Sequence, residues 1–285
     1  MLGPSLLVAS MVPRAAGFKH GNRWQYHSRS DHHSKVACWG LLLDLLRHCP
    51  LLREHAAKGL VGYGINHEMR DFGTGRKKNL DLVVCRPRSD AWGGAPTPTF
   101  ADQALEIGIA LDRRAAQELS ALPTVHELPV GAVHLALEAK ACMTEFMKAR
   151  SRLYDELNSS HAAIHGNSPH TIAAGVAMVN MATEFISPGR NDFDLSRRHP
   201  VVSQHQQPRH AAEVISKLRE IPRRSRDTEE GYDAFAIIAV DCRNDGSPVR
   251  LVEDPPAPQP GDTDQYEMTV HRLAQLYEQK YRAIS

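Results

Sequence analysis

The chain has 285 residues, 42% of them hydrophobic and 24% charged, which is enough apolar material for a full core and ordinary for a globular protein. Its net charge of +1 excludes a globally basic surface, so any nucleic-acid contact must be a local patch. The five cysteines form no CxxC pair and are odd in number; this argues against a zinc knuckle or a disulfide framework and fits a reducing cytoplasm.

Residues 1–33 are expected to be a lead-in arm, loosely ordered to about residue 20 and then polar, aromatic and basic through Arg23, Trp24, Tyr26, His27 and Arg29. The apolar run at 6–9 is too short to span a membrane and has no basic stretch before it, so no membrane partner is expected. Asp31 or Ser34 can cap a helix over 35–48, where Leu41, Leu42, Leu45 and Leu46 form a helical stripe. Pro50 ends it, and a short helix follows over 51–58. A strand over 60–65, a Gly-rich turn at 73–77 and a strand over 78–85 read as a hairpin. Gly62-x-Gly64 is too short a fragment for a dinucleotide fingerprint.

Prolines and glycines make 86–100 a loop, and 102–121 reads as one helix with Leu105, Ile109, Ala116 and Leu119 apolar. A strand over 134–142 follows, then a capped helix from Thr144 to Leu157. Residues 172–181 read as a buried strand. The stretch 187–230 is an excursion: polar, basic and proline-punctuated to Arg209, where it reads as a loop or flap, with a helix over 211–219. A second buried strand over 232–240, a proline-rich segment over 254–261 and an amphipathic helix over 263–283 close the chain. This order predicts an α/β fold, a mixed central sheet flanked by helices, as a single domain over 34–285.

Two strands carry the chemistry. In 134–142 the apolar run ends in Glu138-Ala139-Lys140, and side chains two apart on a strand share a face. An acid and a base at the end of an apolar strand are expensive to bury unless paired or bound to a metal. In 78–85, Asp81 precedes an apolar run. Asp81, Glu138 and Lys140 together could hold a divalent cation and a water beside a phosphate.

An Asp followed by Glu-x-Lys on neighbouring strands resembles the PD-(D/E)XK nuclease superfamily, which includes many restriction endonucleases. Here the first half reads Leu80-Asp81 without the proline, and the second half, Glu138-Ala139-Lys140, matches fully. Asp81 and Glu138 are further apart than a short hairpin link, so 86–131 would be an insertion into a restriction endonuclease-like core. The resemblance implies a Mg2+-dependent DNA endonuclease, with Mn2+ able to substitute, acting on double-stranded DNA as a homodimer in restriction or another anti-phage defence. It also implies roles. Asp81, Glu138 and the Ala139 carbonyl would hold the metal, with Glu68 (or Glu54) as an added acid, and Lys140 would orient water or stabilise developing charge. Lys148 and Arg152 on the next helix, and Arg197 and Arg198 beyond, would contact phosphates.

The simpler readings compete with these. An Asp before an apolar run is commonly a strand-edge residue, and Glu-x-Lys is commonly a solvated pair, although Leu135, Leu137 and Ala141 flank this one. His32-His33 reads as surface, and His161 with His165 lacks a third zinc ligand. Arg223, Arg224 and Arg226 read as solvated charge or phosphate contacts. A catalytically silent nuclease-like fold that binds nucleic acid or serves in an assembly, and an RNA-directed nuclease, are the alternative functions.

Overall fold

The strands at the centre of the protein are apolar on both faces, which is possible only where helices cover both sides. The computed structural model describes residues 1–15, 19–91 and 97–284. In chain order they form α1 (Gly3–Ser10), β1 (Arg14–Ala15), β2 (Arg23–Trp24), α2 (His32–His48), α3 (Pro50–Ala57), β3 (Gly62–Arg70), β4 (Lys77–Pro87), α4 (Phe100–Ile107), α5 (Arg113–Ser120) and β5 (Val130–Cys142). Then come α6 (Phe146–Asn167), β6 (Ile172–Asn180), β7 (Glu184–Phe185), β8 (Ser203–Gln204), α7 (Arg209–Arg219), β9 (Ala234–Asp241), β10 (Arg250–Leu251) and α8 (Tyr266–Tyr281).

The fold is α/β. A six-stranded sheet runs in the order β10-β9-β6-β5-β4-β3, with β5, β6 and β9 parallel and the outer pairings antiparallel. Every residue of β6 is buried. One face packs against α1, α2 and α8 through Leu41, Leu42, Leu45, Leu137 and Leu273; the other packs against α6 and α7 through Leu153, Leu157, Val214 and Phe235. No helix among the described residues is long and apolar enough to cross a membrane.

In its described residues, 1–15 and 19–33, the expected lead-in arm is instead a packed part of the fold. Leu6 and Leu7 are buried in the α2 core, and Gly40 lets α1 approach so closely that a Cβ there would lie 2.8 Å from the Gly3 Cα. Asp44 on α2 is fully buried and receives the N–H groups of Leu2 and Gly3, at 2.9 and 2.7 Å, with Arg47 at 2.9 Å. These are free N–H groups at a helix start, which a carboxylate suits.

The helix expected over 102–121 is two helices. Gly108 adopts the left-handed conformation (φ 72°) and ends α4, and the Asp112 side chain accepts the Ala115 N–H to start α5. The apolar periodicity continued across this break and hid it. The loop expected over 86–100 falls partly on residues 92–96, outside the described residues. The segment after β6 is more ordered than a flap: Asn191 bonds Ser187 and Val201, and β7 pairs with β8.

Removing the Asp44 carboxylate strands two buried N–H groups and leaves Arg47 paired with Glu118 alone. Asp44→Ala is expected to lower unfolding stability by about 3 kcal/mol, measured by urea denaturation.

Candidate active site

β4 and β5 are paired up to Leu82 and Leu137, and the ladder ends there. Asp81 and Glu138 are the next residues on each strand, so the two carboxylates stand where the strands part. The Asp81 Oδ2 accepts the Ala139 N–H at 2.8 Å, and Oδ1 accepts the Ser34 hydroxyl at 3.0 Å. Ser34 lies in the first turn of α2, whose positive end favours an anion. Each Asp81 oxygen keeps a second lone pair for a cation.

Glu138 and Lys140 share the sheet face that packs on α6. The Glu138 side chain is 1% exposed, and Lys140 Nζ lies 2.6 Å from its Oε1, with Lys78 Nζ at 4.0 Å. Among the described residues neither Glu138 oxygen accepts a well-directed hydrogen bond, although both are buried. Burial raises the pKa of Glu138, and the nearby Asp81 charge raises it further, against the pull of Lys140. Burial likewise raises Asp81, opposed by the Ala139 N–H and by Lys140. Burial pulls Lys140 down, but Glu138 more than reverses this and holds it above the ordinary lysine value. Lys140 is therefore an ammonium at neutral pH, suited to stabilising negative charge rather than to taking a proton.

A cavity of about 280 Å³ opens onto this centre, lined by Asp81, Ala139, Lys140, Arg152, His33 and Glu156 among others. The structure thus brings together Asp81, Glu138, Ala139, Lys140 and Arg152, all anticipated from sequence. Arg152 pairs with Glu156 at 3.0 Å. Lys148 lines the adjoining cavity instead. The contact shown for Ala139 is through its N–H, not its carbonyl.

Four expectations are corrected. Glu68 is half exposed and paired with Lys77 at 2.8 Å, so it is not directed into the site, and Glu54 pairs with Lys58 on α3. Arg197 is 85% exposed and paired with Asp194, and Arg198 stacks over Phe193; neither lines the cavity. Thr144 does not cap α6: Glu145 holds the N-cap position without a side-chain bond, and Thr144 meets His205 at 3.1 Å. Arg223 lies over the Phe235 ring and Arg224 is buried against Asp233, so both are structural.

Several site residues escaped the sequence reading. His33, read as surface, lines the cavity, and burial lowers its pKa to about 4, so it is neutral at physiological pH. Ser34, Lys78 and Glu156 come from α2, β4 and α6; nothing local marks them, because only the crossing of these elements brings them together. His161 bonds Asn158, and His165 lies 3.4 Å from Asp233, away from the site cavity.

No family model, no curated protein and no solved structure matches the chain. The chemistry of the site therefore follows from its own geometry.

The residues present fit one hard divalent cation held by few protein ligands. Buried Glu138 and half-buried Asp81 offer free oxygen lone pairs, although no cluster of three or more His, Cys, Asp or Glu is found among the described residues. Magnesium is commonly bound this way, by one or two carboxylates with waters and substrate oxygens completing its shell.

Because the folded-state pKa of Asp81 is raised, its ionised form is penalised in the fold. That penalty is absent below about pH 4, where folded and unfolded chains are both protonated, and is full above the raised value. Asp81→Asn is expected to raise the melting temperature near about pH 8 without divalent ions, with the difference vanishing towards about pH 4. Millimolar magnesium is expected to raise the melting temperature of the wild type but not of this variant.

Proposed function

We propose that the protein is a metal-dependent nuclease that hydrolyses phosphodiester bonds in DNA. The observation that supports this is the convergence of Asp81, Glu138 and Lys140 where two adjacent strands part, beside a cavity lined by Arg152. Asp81 and Glu138 would hold magnesium, or manganese in its place. When bound, the metal would neutralise phosphate charge and ease ionisation of an attacking water.

The chain's own residues supply the rest. Lys140 stabilises negative charge as it develops on the phosphate. Arg152, held by Glu156, offers a planar fork of N–H donors to a neighbouring phosphate. The Ser34 hydroxyl and the Ala139 N–H fix the Asp81 carboxylate, which would otherwise turn towards Lys140. His33, neutral and facing the same cavity, can accept a hydrogen bond from water. The resemblance to PD-(D/E)XK enzymes places this activity in restriction or another anti-phage defence, in the cytoplasm.

Supercoiled plasmid incubated with the protein and magnesium tests the reading. Cleavage by the wild type should disappear in EDTA and fall at least about 100-fold in Lys140→Ala. Arg197→Ala and Glu68→Gln, outside the cavity, should cut within about twofold of wild type. Undiminished cutting by Lys140→Ala would refute the site assignment; no cutting by any sample would favour a silent, nucleic-acid-binding fold.

A further inference from the structure

We infer that the trough leading from the carboxylates receives an unpaired DNA strand rather than an intact duplex; this rests on the nuclease reading of the site. The 280 Å³ cavity at Asp81 adjoins a larger one of about 520 Å³, and Tyr26, Ser28, Ala141 and Arg152 line both. Lys148 and Arg190 line the larger cavity and also a third, of about 290 Å³, that reaches His205 and His210. The three form one path from the reacting centre across the start of α6.

The path has the chemistry of a strand-binding trough. Arg29 lines the first cavity and Lys148 and Arg190 the next, and among the described residues none of these has a carboxylate partner. Cations left unpaired along a groove suit a phosphate backbone. Tyr26, common to both cavities, places an aromatic ring where a base adjacent to the reacting phosphate could stack.

Its walls exclude a double helix. One wall is the segment 23–31 and the other is 184–190, and the buried Asn244 joins them. Asn244 Oδ1 accepts the N–H groups of Gln25 and Tyr26, each at 2.9 Å, while its Nδ2 donates to the carbonyls of Tyr26 at 3.0 Å and Ile186 at 2.9 Å. Asn22 adds a second tie, donating to the Phe193 carbonyl at 2.7 Å and accepting the Leu195 N–H at 3.2 Å. Volumes of this size enclose a small molecule, roughly one or two nucleotides per cavity. Widening the path to duplex dimensions would break the Asn244 and Asn22 bonds together, so a duplex would have to part before reaching Asp81.

Fluorescence anisotropy tests this without catalysis, using wild-type protein in EDTA with labelled oligonucleotides: a deoxythymidine strand of about 12 nucleotides, a blunt DNA duplex of similar length, and a uridine strand. The deoxythymidine strand should bind at least about tenfold tighter than the duplex. Lys148→Ala with Arg190→Ala, and separately Tyr26→Leu, should each weaken its binding about fivefold or more, with circular dichroism matching wild type. Duplex binding as tight as the single strand, or trough variants that fold and bind unchanged, would overturn the proposal, and tighter binding of the uridine strand would overturn its assignment to DNA. Strand preference without cleavage of the deoxythymidine strand in magnesium would sink the nuclease reading alone, and cleavage with duplex-preferring binding would sink the strand reading alone.

Discussion

A carboxylate buried to 1% exposure in the middle of a sheet, with an ammonium 2.6 Å away, is the constraint on which the rest of this site depends. An isolated charge at such depth is strongly penalised, and the pairing of Glu138 with Lys140 makes it tolerable. Asp81 adds a second negative charge to the same place, and both acids are raised above their ordinary values. A fold selected for stability alone would place apolar side chains there. Desolvated like charges beside a cation and a cavity are the arrangement expected of a centre that binds or transforms something anionic with the help of a metal.

The scaffold is built around holding that arrangement still. β5 pairs with β4 up to Leu137 and with β6 through Glu138 and Lys140, and the β6 ladder fixes both residues along the strand. α2 runs along the opposite sheet face with its buried leucines and brings Ser34 to Asp81 at its first turn. α6 supplies Arg152 and Glu156 from the other side. The segment from Tyr26 to Ser34, tied at Tyr26 by Asn244, lines the site cavity, so a part of the chain little suggestive of structure in sequence shapes access to it.

The conflict between stability and chemistry is concentrated in a small region. The buried Arg224–Asp233 pair is satisfied: Arg224 bonds Asp233 and the Thr171 carbonyl, and Asp233 also accepts the Ala173 N–H. Glu138 is different, because its oxygens are buried without well-directed hydrogen bonds. A buried carboxylate left unsatisfied beside a cavity calls for an explanation, and a bound ion is one.

The sequence by itself determined the sheet, most helices and the pairing of Glu138 with Lys140. Apolar runs such as 172–180 admit only a doubly covered strand, and side chains two apart on a strand must share a face. It also singled out Asp81, an acid just ahead of an apolar strand that neighbours the Glu-x-Lys strand. The tertiary structure decided what local pattern cannot encode. The break at Gly108 was hidden because apolar periodicity ran through it, and the packing of residues 1–15 and 19–33 was hidden because Leu6, Leu7 and Asn22 find their partners only far along the chain. Glu68 and Arg197 carried suitable charges but are turned to neighbouring ions at the surface, whereas Ser34, His33, Glu156 and Arg190 face the cavities because α2, α6 and the segment 184–190 come together there. Strand chemistry is local and periodic, and so is legible in order; a cavity is made by elements distant in sequence, and its lining is settled only when they pack.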